Sequence, residues 1–139
     1  MSALPLRLGL AAVAVLLVVL AVGRIGRDDG CSAAGHDALR PAHGTAGAIA
    51  AGDDRLVRRL EHDCRGGDDL AQAGAALAIG GRTAAAERLA REAIRREPQN
   101  FLAWDALALA VRRTDPAEAR RAVATAQRLN PRGRAIPLD

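Results

Sequence analysis

Apolar and small residues recur at helical spacing between residues 70 and 98. Four of them fall at positions i, i+3, i+4 and i+7, which is one stripe along an α-helix. The double glycine Gly80-Gly81 then interrupts the pattern, and Pro98 ends a second stripe. Two short helices that are each apolar on one side must pack against each other. The stripes consist of Leu70, Ala73, Gly74 and Leu77 in the first helix and of Ala86, Ala90 and Ala93 in the second.

The same pattern returns one period later. Trp104 follows Leu70 by about 34 residues and Pro131 follows Pro98 by about 33 residues, which lies within the range of periods of helical repeats. A fixed period of this length, with small residues at set places in each copy, is typical of a helical repeat array. We therefore predict an all-α fold, with Trp104 as the largest side chain of the core. The other positions of the second copy are Leu107, Ala108, Val111, Ala119, Val123 and Ala126.

Side chains that cap helices are present at the predicted helix starts. Thr83 is predicted to cap the second helix of the first copy, and Asn100 the helix that follows. In the second copy Asp115 is the predicted N-cap, and Pro116 occupies the first helical position. The repeats therefore have their own start and stop signals.

The repeated pattern resembles that of the tetratricopeptide repeat (TPR) family. The resemblance covers about half of the chain and is present twice in phase. The position where the family has Tyr holds Leu77 in one copy and Val111 in the other. The matching residues are Leu70, Gly74, Ala86, Ala90, Ala93 and Pro98 in the first copy, and Trp104, Leu107, Ala108 and Leu129-Asn130-Pro131 in the second.

The resemblance implies a protein-binding module whose first helices line a concave groove. The part of the groove in the first repeat is apolar, which favours an apolar helix of a partner protein, or self-association, over a charged tail. Alternatively, this face is covered by the preceding hairpin or by Ile136-Pro137-Leu138. The residues that the resemblance places in the groove are Ala71, Ala75, Ala78, Ile79, Leu102, Asp105, Leu109, Arg112 and Arg113.

The N-terminal residues 1–24 are predicted to be a transmembrane signal anchor. The run from Leu8 to Gly23 has no charge and consists almost entirely of Leu, Val and Ala. With the residues before it, the run is long enough to cross a bilayer core of roughly 30 Å. A cleaved signal peptide is the alternative, because Ala21-Val22-Gly23 offers small residues for cleavage. We favour the anchor, since the apolar run continues up to that site without a polar stretch.

The chain has two cysteines, Cys31 and Cys64, which follow the predicted span. An even number of cysteines in a short segment predicts a disulfide in an oxidising compartment. The repeat domain is therefore expected outside the cytoplasm, on a single-pass protein of the cell membrane.

These features divide the chain into four parts. Residues 1–24 are the anchor, and residues 25–66 are a tether with a degenerate leading hairpin, whose second helix is predicted to be capped by Asp53 or Asp54. Residues 67–134 are the two repeats, and residues 135–139 are a C-terminal tail. Together they predict a membrane-tethered adaptor or scaffold of a cell-envelope assembly.

Charge and composition narrow the class of partner. Every basic residue apart from histidine is Arg, and the segment from Arg82 to Arg134 contains twelve arginines but only six acidic residues. We interpret this basic segment either as a cationic face for an acidic partner or membrane, or as a solvated surface of helical ion pairs. The only aromatic residues are Phe101 and Trp104, which argues against a nucleic-acid partner that stacks bases.

Catalytic motifs are not found in the sequence. No nucleophile motif, phosphate-binding loop or pair of carboxylates in a cleft is recognised, so we predict neither an enzyme nor a bound cofactor. The alternative function is a thiol, disulfide or metal-binding protein that uses Cys31 and Cys64, with His36 and His62 as further zinc ligands. The spacing of these four residues differs from that of common zinc motifs, and we predict no metal site.

Overall fold

The computed structural model describes residues 30–134 and 136–137, which form helices and connecting turns without a β-strand. The all-α prediction is confirmed for this part of the chain. None of its helices is long and apolar enough to cross a membrane, and the predicted span, residues 1–24, lies outside the described residues. The helices are α1 (30–38), α2 (Ala46–Asp63), α3 (Gly67–Ile79), α4 (Thr83–Arg96), α5 (Phe101–Val111) and α6 (Pro116–Leu129).

The last four helices form two stacked hairpins. Helix α3 packs on α4, α5 packs on α6, and α5 also contacts both helices of the hairpin before it. Leu70, Leu77 and Leu89 are fully buried between the helices of the first hairpin and their neighbours. Because apolar area removed from water supplies most of the stability of a small domain, these side chains fix how the helices pack.

Small residues allow the close crossing of α3 and α4. A Cβ atom built on Gly74 would lie 3.3 Å from the backbone oxygen of Ala86 and 3.5 Å from Cβ of Leu89. In the second hairpin Ala108 has the same place, one period later, and is also buried. The small residues of the sequence pattern thus lie where two helices touch.

Of the three helix caps predicted within the repeats, two are confirmed and one is wrong. The Asn100 side chain accepts from the Leu102 N–H, and the Asp115 carboxylate accepts from the Glu118 N–H at 2.8 Å. Thr83 does not cap α4, because it is already the first residue of that helix. The N-cap position belongs to Arg82, whose side chain makes no capping hydrogen bond.

Helix α2 is longer than the sequence predicts. It runs without interruption through Gly52, and Thr45 is its N-cap. The prediction that Asp53 or Asp54 caps the helix is therefore wrong. Both residues lie in the middle of α2, where their carboxylates bind arginines of the following hairpin. A tertiary contact thus uses acidic groups that resemble caps in the sequence.

Trp104 lies at the edge of the core, not at its centre. The residue is only partly buried, and its indole Nε1–H donates to the Pro98 carbonyl oxygen at 2.9 Å. Tryptophan is large and carries a donor that needs a partner, so a place beside a loop carbonyl suits it. The prediction that it is the largest core side chain is wrong. The largest fully buried side chains are Leu60, Leu70, Leu77, Leu89, Val57, Val111 and Cys64.

Candidate functional site

A disulfide joins the first two helices and confirms the predicted pairing. Cys31 in α1 is bonded to Cys64, the residue that ends α2, and their Cα atoms are 4.8 Å apart. Cys64 is buried, and Cys31 is half-buried against the core. The bond links α1 to the end of α2, within the segment for which the sequence predicts a leading hairpin.

The end of α2 is held by an arginine from α4. Arg96 donates from Nη2 to the Glu61 carbonyl at 2.7 Å and from Nη1 to the Cys64 carbonyl at 2.5 Å. The last carbonyls of a helix lack partners within the helix and carry partial negative charge, which favours a cation here. Glu92 is buried and accepts from Arg96 Nε at 2.7 Å, so it holds the guanidinium in place.

Further ion pairs connect α2 to α4. Arg82 donates from Nε to Asp53 at 2.6 Å, and both side chains are largely buried. Arg88 donates to Asp54 at 2.6 Å in a more exposed position. The sequence did not predict these contacts, because the partners are far apart along the chain and belong to different hairpins.

The start of α3 is bound by the turn that follows α4. The Gly67 N–H donates to Glu97 Oε1 at 2.8 Å, and Asn100 Nδ2 donates to Asp68 Oδ1 at 2.6 Å. A Cβ atom on Gly67 would lie 2.9 Å from the Glu97 carboxyl carbon, so a larger residue at this position would displace the Glu97 side chain. The positive end of the helix is thus occupied by a carboxylate of the same chain.

A cavity of about 400 Å³ lies beside the disulfide, and His36, Asp69 and Gln72 are among its lining residues. A carboxylate oxygen of Asp69 lies within 4.8 Å of both sulfur atoms. His62 is not part of this cavity. Its Nδ1 atom lies 2.8 Å from the Asp63 carboxylate in an exposed position. The four zinc ligands considered from the sequence are therefore not brought together, whereas Asp69, which the sequence did not indicate, is close to the cysteines.

The residues of the predicted groove are placed in different environments. Ala71 and Ala78 are buried in the core and offer no surface to a partner. Ile79 is 76% exposed, and Arg113 is exposed as well. The others are half-buried: Ala75, Leu102, Asp105, Leu109 and Arg112.

The accessible apolar surface lies where α1 and α3 end. Leu39 is 68% exposed, and together with Ile79, Pro41 and Ile49 it lines a cavity of about 500 Å³. The sequence did not indicate Leu39 as part of a binding surface. The available signal was an apolar residue two positions before Pro41, a residue that cannot continue a helix.

Asp105 lies at the far end of the array. It lines a cavity of about 200 Å³ together with Phe101, Asn130 and Arg134, between the start of α5 and the end of α6. Burial raises the pKa of its carboxyl group above the ordinary value of 3.8. Its counterpart in the first copy is Ala71, which is fully covered.

An arginine connects the two repeat hairpins at their second helices. Arg91 in α4 donates to Glu118 of α6 at 3.0 Å and to Glu87 of its own helix at 2.9 Å. The hydrogen bond to Glu118 and, to a smaller extent, the hydrogen bond to Glu87 raise the pKa of Arg91 above its ordinary value. The guanidinium, which is charged in any case, thus joins α4 to α6.

Protein-family models, curated proteins and solved structures were compared with this chain, and none matches it.

Proposed function

We propose that this protein is a membrane-tethered, TPR-like module that binds a partner protein outside the cytoplasm. The observation that carries the proposal is that several core positions of the repeat pattern are buried in both of the stacked hairpins. Leu77 and Val111 hold equivalent positions in the first helices of the two copies, and both are fully buried. Ala93 and Ala126 hold equivalent positions in the second helices, and both are buried as well. A periodic sequence that folds into periodic contacts favours a repeat array.

The disulfide supports a location outside the cytoplasm. Disulfides persist in oxidising compartments and are rare where glutathione keeps thiols reduced. The uncharged run from Leu8 to Gly23 is the proposed anchor in the membrane. An intact protein that stays in the membrane fraction through high-salt and carbonate washes would support the anchor. A mature soluble form that begins near Arg24 would contradict it.

The proposed partner surface is centred on Ile79 and Leu39. Large apolar side chains that are exposed and line the same cavity often mark an interaction site. Leu102 and Leu109, both half-buried and both in α5, are further apolar residues of the predicted groove. The surface suits an apolar face of a partner helix or a second copy of this chain, as part of a cell-envelope assembly.

Site-specific photocrosslinking in native membranes tests the proposal. A benzoylphenylalanine in place of Ile79 should capture a discrete partner band, and Ala84, an exposed residue of α4, provides the control position. A specific band at Ile79 alone supports the proposed surface. An absence of adducts at Ile79, or the same adducts at both positions, contradicts it. Mass spectrometry of the captured band distinguishes a second copy from a different protein.

A thiol or metal function is the second candidate, favoured by the position of Asp69 near both sulfurs and of His36 in the same cavity. Thiolate, imidazole and carboxylate groups are zinc ligands once the cysteines are reduced. Native mass spectrometry with and without reductant and zinc separates the two functions. A disulfide that is intact in protein from native membranes, with no stoichiometric zinc, supports the binding module. Bound zinc or free thiols in that material would favour the second candidate.

A further inference from the structure

The positive charge of the protein is concentrated at the end of the repeat array. Residues 30–100 contain ten arginines and ten acidic residues, whereas residues 101–134 contain seven arginines and three acidic residues. The first of these segments is thus formally neutral, and the second carries a formal charge of +4. The excess of arginine in the sequence therefore belongs to the second hairpin and the residues after it.

The arginines of the two hairpins differ in their partners. Arg82, Arg88 and Arg91 each form ion pairs with carboxylates of another helix. Within residues 30–134, by contrast, no ion pair joins an acidic group to any arginine after residue 101. Of the three acids in residues 101–134, Asp115 caps α6 and Glu118 binds Arg91. The third, the half-buried Asp105, lines a cavity together with Arg134.

Three of these cations, Arg120, Arg121 and Arg128, belong to α6. The turn between α5 and α6 holds Arg112 and Arg113, and the positions after α6 hold Arg132 and Arg134. Helix α6 has 14 residues, so the row is about 20 Å long. We call this surface the α6 arginine face. It consists of Arg112, Arg113, Arg120, Arg121, Arg128, Arg132 and Arg134, and all but the half-buried Arg112 are exposed.

We propose that the α6 arginine face docks on an anionic lipid surface, namely the bilayer that holds the proposed anchor. The proposal rests on the membrane tether of the proposed function. Each arginine close to such a surface is attracted by its negative potential, and the attraction acts over a Debye length of about 8–10 Å.

The tether keeps the domain within reach of that surface. The disulfide fixes Cys31 to the end of α2, so residues 24–30 link the folded helices to the predicted span. A chain of that length reaches at most about 25 Å. A domain of about 100 residues has a radius of gyration of about 13 Å. A domain anchored in this way stays next to the bilayer, and the side with the excess charge is drawn towards the lipid.

Other polyanions fit the surface less well. Single-stranded nucleic acid is usually bound by aromatic side chains among the cations, and both aromatic residues of this chain, Phe101 and Trp104, belong to α5. An acidic protein segment has the right charge, but nothing ties it to this end of the array. The bilayer is held next to the domain by the chain itself.

Arginine footprinting of the full chain tests the proposal. The protein is reconstituted in nanodiscs of neutral phosphatidylcholine, or of the same lipid mixed with phosphatidylglycerol, and modified with phenylglyoxal. In the anionic discs modification of Arg120, Arg121 and Arg128 should slow about fivefold or more, which corresponds to ~1 kcal/mol for each arginine near the surface. High salt should abolish the protection, because exposed charges are screened.

Matched variants distinguish docking by the α6 arginine face from attraction by the total charge of the protein. Arg120→Gln, Arg121→Gln and Arg128→Gln together should remove the protection of Arg112, Arg113, Arg132 and Arg134 in anionic discs. The control is Arg55→Gln, Arg58→Gln and Arg65→Gln, which removes the same charge from exposed positions in and just after α2 and should leave the protection unchanged. Equal loss in both variants would show attraction without a defined face and would overturn the proposal.

Each remaining outcome decides one of the two proposals. Protein that enters both kinds of disc but shows no protection, or equal protection in both, overturns the lipid docking and leaves the anchor intact. Protection by added polyglutamate but not by anionic lipid assigns the face to an acidic protein. Protein that enters neither kind of disc contradicts the membrane tether itself, and the docking proposal with it.

Discussion

The two repeat hairpins share a pattern but differ in their surroundings. The first hairpin is covered by α2 on one side and by α5 on the other. The second hairpin packs on the first, and its outer side faces a small cavity and solvent in the described part of the chain. Positions that hold Ala71 and Ala78 in the first copy hold Asp105 and Arg112 in the second. The end of a repeat array needs a polar outer face to remain soluble, and these changes supply one.

The turns that close the two hairpins show the same difference. After α4, Glu97 binds the start of α3 and Asn100 caps α5. Asn130 and Gly133 hold the corresponding positions after α6, one period later. The Glu97 carboxylate and the Asn100 cap thus have no counterparts in the second copy, where residues 130–134 are not helical. The contacts that each copy makes therefore depend on the helices packed beside it as well as on its apolar pattern.

The largest effect is expected from the core of the first hairpin. Replacing the fully buried Leu77 by Ala removes apolar contacts and leaves a cavity, which costs about 2–5 kcal/mol of unfolding free energy. A small domain has only about 5–15 kcal/mol in total. Leu109→Ala in the second hairpin is the control and should cost clearly less, because Leu109 is half-buried. Chemical denaturation followed by circular dichroism measures both, and equal losses would contradict the difference in burial.

Reduction of the disulfide should have the next largest effect. The bond between Cys31 and Cys64 closes a loop with a sequence separation of 33 residues, for which chain entropy predicts roughly 3–4 kcal/mol, with measured values often lower. Reduction should loosen residues 31–66 first, while residues 70–131 stay helical. Hydrogen exchange of oxidised and reduced protein measures this order. Equal loosening of residues 31–66 and 70–131 would show that the leading hairpin is not a separate unit.

Arg96→Met tests the charged contacts that only the first hairpin makes. The change removes the donors to the Glu61 and Cys64 carbonyls and leaves the buried Glu92 with fewer partners. A loss of about 1–3 kcal/mol is expected, since buried polar groups are costly to leave unsatisfied. Arg128→Met on the exposed face of α6 should change stability by less than about 0.5 kcal/mol. Similar melting temperatures for the two variants would contradict the docking role of Arg96.

The smallest effect is expected from Asp105→Ala, which makes the second hairpin resemble the first. Because burial raises the folded-state pKa of Asp105, the charged carboxylate is unfavourable in the fold above that pKa. The penalty is relieved as the pH falls through the raised pKa towards the unfolded value. The variant should therefore be slightly more stable than the parent protein at pH 7, and this gain should shrink towards pH 3. A gain that does not depend on pH would point to packing and not to charge.

Much of the helical architecture can be predicted from the sequence, because its signals are local. The stripe of Leu70, Gly74 and Leu77 depends on helical periodicity, and the Asp115-Pro116 start of α6 depends on capping geometry. The disulfide between Cys31 and Cys64 could be predicted by counting, since the chain has no other cysteine. These features involve neighbours along the chain or residues that have a single choice of partner.

Only the tertiary structure decided which charges are paired. Asp53 resembles a cap in the sequence but binds Arg82 in the fold, and Arg96 reaches carbonyls of a different hairpin. Periodicity does not distinguish a covered position such as Ala71 from an end position such as Asp105, because both lie on the same face of equivalent helices. The sequence by itself determined the helices, their period and the disulfide, which are local or unique choices. The burial of each face and the pairing of each arginine depend on which helix packs alongside, and that is settled only when the hairpins come together.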